Sequence, residues 1–318
     1  NRHPTRMTTR RSKISHTLKR QGRRLLNVLR TRKPGRSSSA PLPEPHPDDP
    51  GRVVRVMTYN IHHARGTDRR YDLERIARVI RDSGTDVVAL QEVERFRNRT
   101  RGDDQPAELA KALGMHYAFA PVCDYSHVEN HHKAGYGIAI LSRFPIVARE
   151  HFNISFGPVR EARGCLHVRL NVDGFPLHVF NVHLGLRYRE RHYQMNRLLS
   201  DEIVNHSRYN GSAKILLGDF NNWWPVKSAR TVTMHFHDAS AVTGRKKLRT
   251  FGKYFTYLCL DYIYTSRNVR IVACDVLRRG PAAVASDHRP VVCSVQLPVC
   301  VPDAGGAPAE TVAVPVSA

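Results

Sequence analysis

Between Val53 and Leu297, short apolar runs alternate with polar stretches of helical pattern, which predicts an α/β or α+β fold. Apolar runs of about four to eight residues are typical of buried strands. We predict strands at 53–59, 86–90, 137–142, 164–171, 176–183, 213–217, 261–265 and 290–296. We predict helices at 72–83, 105–114 and 187–206, with Asp72 as the N-cap of the first.

The start of the chain has a different composition. Residues 1–50 contain 13 Lys and Arg but only 3 Asp and Glu, so we predict a basic extension over residues 1–33. Its apolar residues are spaced to share one helical face; they are Ile14, Leu18, Leu25 and Leu29. Two interpretations remain open, a basic amphipathic helix on an anionic membrane surface and a solvated, disordered arm.

Composition also divides the rest of the chain into three segments. Residues 34–52 are rich in proline and serine, which indicates a linker. Residues 53–298 form the predicted catalytic domain, and residues 299–318, rich in Gly, Pro, Ala and Val, are predicted to be a disordered tail.

The overall composition narrows the classes of protein. The 318 residues are 41% hydrophobic, which excludes global disorder, and no run of about 20 apolar residues predicts a transmembrane helix. The six cysteines include no C-x-x-C pair, which favours a reduced interior and a cytoplasmic location, with the arm placing the protein at the membrane periphery if it binds lipid. The net charge of +22 indicates an anionic partner: nucleic acid, anionic lipid or a phosphorylated substrate.

Candidate chemistry lies where the predicted strands begin or end. Six apolar segments are flanked by polar residues capable of catalysis or metal binding; these are Asn60, Glu92, His183, Asp219 with Asn221, Asp261, and Asp287 with His288. Groups at strand ends converge on one edge of a sheet, so together they predict a polar site at the rim of a β core. Any one of them alone is more often a turn, a cap or a satisfied strand residue.

The residue types point to a reaction. Carboxylate and amide oxygens suit Mg²⁺ or Mn²⁺, and no cysteine pattern suited to structural zinc is present. His183 and His288 can transfer protons or contact a phosphate, and a carboxylate behind a histidine makes it a stronger base. Such a set describes water attack on a phosphoester.

Six motifs occur in the order found in one superfamily. They are Thr58-Tyr59-Asn60-Ile61, Leu90-Gln91-Glu92-Val93, Asn181-Val182-His183-Leu184, Gly218-Asp219-Phe220-Asn221, Leu260-Asp261-Tyr262-Ile263 and Ser286-Asp287-His288-Arg289-Pro290. The chain therefore resembles, over about residues 53–297, the DNase I-like endonuclease/exonuclease/phosphatase superfamily. It is most similar to a poorly characterised bacterial branch with an aromatic residue after Gly-Asp-Phe-Asn.

The resemblance implies a four-layer α/β/β/α sandwich and dependence on Mg²⁺ or Mn²⁺. It implies that Asn60, Glu92 and Asp287 bind the metal, with Glu92 as the principal ligand. Arg163, in a looser local match, becomes a candidate phosphate contact.

The resemblance also assigns the catalytic groups. His183 contacts the phosphate or assists the leaving group, Asp219 orients the attacking water or binds metal, and Asn221 holds a phosphate oxygen. His288 becomes the general base, with Asp261 behind it.

Several residues fall outside the motifs. Adjacent histidines in a strand point in opposite directions, so we interpret His62 and His63, like His131 and His132, as loop or rim residues. Ile138 replaces an Asn that is common in the superfamily. Trp223 and Trp224 are candidates either to stack on a base or face a lipid, or to cap the sandwich.

We therefore predict a monomeric divalent-metal-dependent phosphodiesterase whose substrate is nucleic acid or a phospholipid. The alternative is an inactive relative that serves as a basic binding module for nucleic acid or membrane. Calcineurin-like phosphatases and metallo-β-lactamase-type nucleases are excluded, because the Asp-x-His and His-x-His-x-Asp-His motifs that they need are absent from the sequence.

Overall fold

The structure, a computed structural model, describes residues 51–129, 133–158, 160–222, 227–244, 248–252 and 258–298. The predicted basic extension, the predicted linker apart from its last two residues, and the predicted tail lie outside the described residues. The same holds for His131, His132, Trp223 and Trp224. The interpretations given to these segments stay predictions.

Within the described residues, twelve strands form two six-stranded sheets. The strands are β1 Val53–Asn60, β2 Val87–Arg95, β3 His116–Asp124, β4 Gly135–Ser142, β5 Ile146–Asn153, β6 Gly164–Val172, β7 Phe175–His183, β8 Ala213–Asp219, β9 Phe236–Asp238, β10 Asp261–Ser266, β11 Arg270–Val276 and β12 Val291–Gln296. The first sheet has the order β11-β12-β1-β2-β4-β3, and the second has the order β5-β6-β7-β8-β10-β9. The pairs β1/β2 and β7/β8 are parallel, and the other pairs are antiparallel.

The helices are short. They are α1 Leu73–Ser83, α2 Gln105–Leu113, α3 Ser126–Glu129, α4 Tyr188–Leu198, α5 Lys227–His235 and α6 Ala239–Val242. The Asp72 side chain accepts a hydrogen bond from the Arg75 backbone N–H at 2.8 Å, which confirms the predicted N-cap of α1. Nowhere in the described part of the chain is a helix long and apolar enough to cross a membrane.

Three clusters of buried apolar residues hold the helices and sheets together. Between the sheets, Val56 of β1 packs in one buried cluster with residues of β4, β6, β7 and β8. On the outer face of the first sheet, Met57 belongs to a second cluster with residues of α1 and α2. On the outer face of the second sheet, Phe180 packs with residues of α4. Both faces of the central strands are therefore covered, which confirms the predicted four-layer α/β/β/α sandwich and explains their continuous apolar runs.

The third predicted helix is wrong over its last eight residues. Helix α4 ends at Leu198 instead of residue 206. Ser200 Oγ donates to the Arg197 carbonyl at 2.8 Å, and the Asn205 side chain donates to the Leu199 carbonyl at 2.6 Å. These local side-chain bonds occupy carbonyls that a continuing helix would use, so the segment folds into turns.

Candidate active site

Strand register brings the motif residues to one edge of each sheet. Asn60, the last residue of β1, is level with Gln91 in the parallel strand β2. In the second sheet, His183 at the end of β7 is level with Asp219 at the end of β8. Asp261, the first residue of the antiparallel strand β10, also pairs with Asp219.

A bulge in β2 determines how Glu92 is presented. The pairing of β2 with β4 shifts between Leu90 and Val93, and Glu92 adopts a left-handed backbone with φ of 57°. This conformation costs a non-glycine residue about 1–2 kcal/mol. Bulges commonly re-aim a side chain beside a functional site. Glu92 Oε1 accepts a hydrogen bond from Asn60 Nδ2 at 3.0 Å.

Asn60 connects carboxylates from the two sheets. Its Nδ2 also donates to Asp219 Oδ2 at 3.1 Å, so Glu92 and Asp219 converge on one neutral amide. Asp287 lies nearby, with its Oδ1 3.9 Å from His62 Nδ1. Converging carboxylates repel one another, and a divalent cation with oxygen ligands would relieve that repulsion. The chemistry of the donor set, carboxylate and amide oxygens, therefore fits the divalent metal that the motifs imply.

Asp219 is the buried centre of the arrangement. His183 Nε2 and His288 Nε2 lie 3.6 and 3.7 Å from Asp219 Oδ2, too far for direct hydrogen bonds but close enough for strong electrostatic coupling. Burial raises the pKa of Asp219 to about 7, although the charge of His288 acts in the opposite direction. Burial lowers the pKa of His183 well below its usual value, and the charge of Arg163 lowers it further. His183 is therefore neutral at pH 7.

His288 and Asp261 form a buried pair. His288 Nδ1 lies 2.9 Å from Asp261 Oδ2. Burial alone would lower the pKa of His288, but the carboxylates of Asp261 and Asp219 outweigh it and raise the pKa to about 10. Thr250 fixes the pair from behind, because its Oγ1 accepts from the Asp261 backbone N–H at 3.3 Å and its carbonyl accepts from the Arg289 backbone N–H at 2.7 Å.

Asn221 and Gly218 shape the end of β8. Asn221 has a left-handed backbone with φ of 48°, its N–H donates to Asp219 Oδ1 at 2.9 Å, and its Nδ2 donates to the Leu184 carbonyl at 2.8 Å. Gly218 has φ of 150°, and a Cβ at this position would collide with the Val182 carbonyl of β7. Glycine therefore permits the close approach of β7 and β8 that brings His183 beside Asp219.

Arg163, the candidate phosphate contact, directly precedes β6 and is buried. Its Nη1 donates to Glu161 Oε1 at 2.7 Å, while its Nε has no hydrogen-bond partner among the described residues. Its charge lowers the pKa of His183, and the charge of Glu92 raises the pKa of Arg163, so the three groups are electrostatically coupled.

Ile138 is buried in the cluster between the sheets, so it contributes packing in place of an amide.

Sequence reasoning missed several supporting residues. Gln91 and Asn181 lie inside quoted motifs but received no role, and Thr250 belongs to no motif. His62 and His63 lie in a turn after β1, in agreement with their interpretation as loop or rim residues, but the sequence did not predict that their rings lie 4.4 Å apart beside Glu92. The sequence feature that could have indicated their proximity to the site is their position two and three residues after Asn60.

Comparison with known proteins gives consistent results. The sequence model of the Endonuclease/Exonuclease/phosphatase family matches residues 57–288. The uncharacterized protein YbhP of Escherichia coli K12 is 31% identical over 258 residues, covering 76% of this chain and 96% of YbhP. An endonuclease/exonuclease/phosphatase from Beutenbergia cavernae superposes with a TM-score of 0.61 at 24% identity, covering 78% of this chain and 72% of that one. A mannosyl-6-phosphatase from Bacteroides thetaiotaomicron superposes with a TM-score of 0.59 at 21% identity, covering 76% and 99%. Both solved structures share the fold of this chain.

Proposed function

Because the chain belongs to the endonuclease/exonuclease/phosphatase family, whose members hydrolyse phosphoesters, we propose that it is a divalent-metal-dependent phosphodiesterase. One observation carries the proposal: Asp219 Oδ2 lies between the Asn60 amide at 3.1 Å and the imidazoles of His183 and His288 at 3.6 and 3.7 Å. Asn60 links Asp219 to Glu92, whose oxygens are suited to a cation, and the two imidazoles beside Asp219 are suited to proton transfer. The two kinds of group therefore meet at the Asp219 carboxylate. Hydrolysis of a phosphoester needs both.

Asn60, Glu92 and Asp287 would hold the cation. When bound, it supplies positive charge that stabilises the phosphoryl oxygens. The buried guanidinium of Arg163 adds a second, fixed positive charge, and Asn221 holds a phosphate oxygen through the amide hydrogen that Leu184 does not use.

His288 acts as the general base. A carboxylate oxygen can only accept, so Nδ1 carries the hydrogen directed at Asp261, and Nε2 is the atom that takes a proton from water. With a pKa of about 10 it begins as the imidazolium, held by two carboxylates. Engagement of Asp219 by the substrate complex weakens that hold, Nε2 then releases its proton to the solvent, and the neutral ring can take the proton of the attacking water. His183, being neutral, donates an N–H to the phosphate or to the leaving oxygen.

The substrate class is a nucleic acid or a phospholipid. Both are phosphodiesters, and residues 51–318 retain an excess of basic side chains that attracts either one. The segment after His183 exposes apolar and aromatic side chains next to Arg187 and Arg189, namely Leu186, Tyr188 and Tyr193. Such a surface stacks on unpaired bases or enters a lipid interface.

A substrate panel tests the proposal. We expect Mg²⁺- or Mn²⁺-dependent turnover of at least one of plasmid DNA, RNA, phospholipid vesicles and bis-p-nitrophenyl phosphate. Glu92→Gln and His288→Ala should reduce the rate at least a hundredfold. Glu202→Gln is the matched control, because Glu202 is an exposed carboxylate paired with Arg197. No turnover on any substrate, or turnover unaffected by both site substitutions, would refute the proposed enzymatic activity. The alternative, an inactive binding module, would then be favoured.

The membrane role of the basic arm is a separate proposal that depends on the sequence alone. Replacing Lys19, Arg20, Arg23 and Arg24 with glutamine in the full chain should weaken sedimentation with anionic vesicles and leave hydrolysis of the soluble substrate unchanged. Vesicle binding that is equal in the two proteins would refute the role.

A further inference from the structure

The turn after β1 is strained beside the candidate metal ligands. His62, His63 and Ala64 are three consecutive non-glycine residues with left-handed backbones, with φ of 46°, 46° and 61°. The turn is fixed at both histidines, since the His62 N–H donates to Asn60 Oδ1 at 3.0 Å and Gln105 Nε2 donates to the His63 carbonyl at 3.0 Å. Strain of this kind persists where the surrounding structure imposes it, commonly at functional sites.

The turn places two adjacent imidazoles on the same side of the chain. One ring nitrogen of His62, one of His63 and one carboxylate oxygen of Glu92 all lie within 4.8 Å of one another. Metal–nitrogen and metal–oxygen bonds of about 2.0–2.2 Å allow ligand atoms to be up to roughly 4 Å apart. Small side-chain rotations are therefore enough to bring the three atoms onto one cation.

His62 and His63 each have a ring nitrogen whose lone pair is available to a metal ion. His62 Nδ1 lies 3.0 Å from the Arg65 carbonyl, and because a carbonyl only accepts, Nδ1 carries the hydrogen and Nε2 keeps the lone pair. Metal-binding histidines are commonly oriented by such a bond from their other nitrogen. His63 is buried, and its Nδ1 has no hydrogen-bond partner among the residues that the structure describes.

We propose that His62, His63 and Glu92 form a second metal site, for a first-row transition-metal ion such as Zn²⁺, next to the oxygen-lined site of Asn60, Glu92 and Asp287. The second site extends the proposed function, because Glu92 would belong to both sites. Its two imidazoles select against Mg²⁺, which prefers oxygen ligands, and favour Zn²⁺ or Co²⁺. A second cation would bring further positive charge to the same phosphate.

Cobalt provides a test that does not depend on activity. The full chain is stripped with a chelator and titrated with Co²⁺, and binding is followed by visible absorption. We expect His62→Gln and His63→Gln each to weaken Co²⁺ binding at least tenfold. His192→Gln, which changes an exposed histidine elsewhere, should leave it unchanged. Equal Co²⁺ affinity in wild type and both site variants would overturn the proposal.

Two further measurements separate this site from the proposed function. Asp287→Asn should lower Mg²⁺-dependent hydrolysis and leave Co²⁺ affinity within twofold of wild type, because Asp287 belongs to the oxygen-lined site only. If no substrate is hydrolysed, the proposed function fails while Co²⁺ binding still decides the second site. If the histidine variants do not fold, X-ray absorption of wild type with one equivalent of Zn²⁺ decides: two imidazole ligands support the site, and none overturns it.

Discussion

Gln91 and Asn181 join the two sheets directly behind the candidate site: Gln91 Nε2 donates to Asn181 Oδ1 at 2.8 Å, and both side chains are fully buried. Asn181 Nδ2 donates in turn to the carbonyls of Leu90 and Ala139 at 2.9 and 2.8 Å. Leu90 precedes the bulge that presents Glu92, and Asn181 lies two residues before His183. A buried polar bridge thus sets the distance between the strands that carry Glu92 and His183.

Replacing Asn181 with leucine should destabilise the protein. The change removes three buried hydrogen bonds, the one from Gln91 Nε2 and the two from Asn181 Nδ2 to the carbonyls of Leu90 and Ala139, at a cost of about 3 kcal/mol in the free energy of unfolding. Urea denaturation measures this cost. Asn196→Leu, at an exposed position on α4, is the control and should change the free energy of unfolding by less than about 0.5 kcal/mol. Equal effects of the two substitutions would show that the bridge contributes no stability.

Asp261 supports His288, the proposed general base. In Asp261→Asn the neutral amide no longer stabilises the positive charge of His288, and its NH₂ group can donate to Nδ1 and select the wrong tautomer, so kcat should fall by about 10²–10⁴ while KM changes little. The pKa of His288 should also fall, because the charge of Asp261 is the largest of those that raise it. Steady-state kinetics over pH 5–9 and NMR titration of His288 measure both effects.

Asp173→Asn is the control for this prediction. Asp173 lies in the turn between β6 and β7, at the opposite end of these strands from His183, and its left-handed backbone suits asparagine. Wild-type kcat is expected. A loss of kcat in Asp261→Asn no greater than in Asp173→Asn would contradict the role given to Asp261.

Two glycines with positive φ, Gly84 and Gly218, differ in the space available for a side chain. Gly84, after α1, has open space around its Cα hydrogens, whereas a Cβ on Gly218 would collide with the Val182 carbonyl. Gly84→Ala should cost about 1 kcal/mol, from the left-handed backbone alone. Gly218→Ala should cost about 3 kcal/mol or more and lower activity, because β7 must move away from β8. Thermal unfolding and turnover of the two variants measure the difference, and equal losses of stability would show that the collision is relieved without cost.

The sequence predicted the central strands well, and the reason is their burial. Strands β1, β2, β4, β7 and β8 are covered on both faces and read as continuous apolar runs. The strands that were not predicted are β3, β5, β9 and β11, which are the four edges of the two sheets. Strand β5, for example, contains the sequence Ile-Val-Ala-Arg-Glu-His-Phe-Asn and is largely exposed. An edge strand buries fewer side chains and carries charges that discourage pairing with other chains, so the burial signal in a sequence such as that of β5 is weak.

The same contrast applies to the site. Residues at strand ends could be found from the sequence because the strand itself fixes their position, as for Asn60 and Asp219. Residues positioned by irregular backbone could not. The proximity of His62 and His63 to Glu92 depends on three left-handed residues and a bulge, and no periodicity encodes either feature. Thr250 contacts Asp261 from 11 residues away in the sequence, and only the folded chain brings the two together.

A second buried histidine pair lies away from the site, on the outer face of the second sheet. His167 Nε2 and His178 Nδ1 are 3.0 Å apart, and both rings lie near Tyr209. Burial lowers the pKa of each histidine to about 4. Both are therefore neutral in the folded protein at pH 7, which permits one ring to donate a hydrogen bond to the other.

This pair should make the protein less stable in mild acid. Because the unfolded histidines have a pKa of about 6.5, the unfolded chain takes up protons between pH 6.5 and 4 while the folded protein does not. The free energy of unfolding should therefore fall as the pH is lowered through this range, by up to about 1.4 kcal/mol per pH unit for each histidine. Urea denaturation at several pH values should show a shallower fall in His178→Gln than in wild type, whereas His192→Gln, at an exposed position, should keep the wild-type slope. Parallel curves for wild type and His178→Gln would mean that His178 binds protons equally well in the folded and unfolded states.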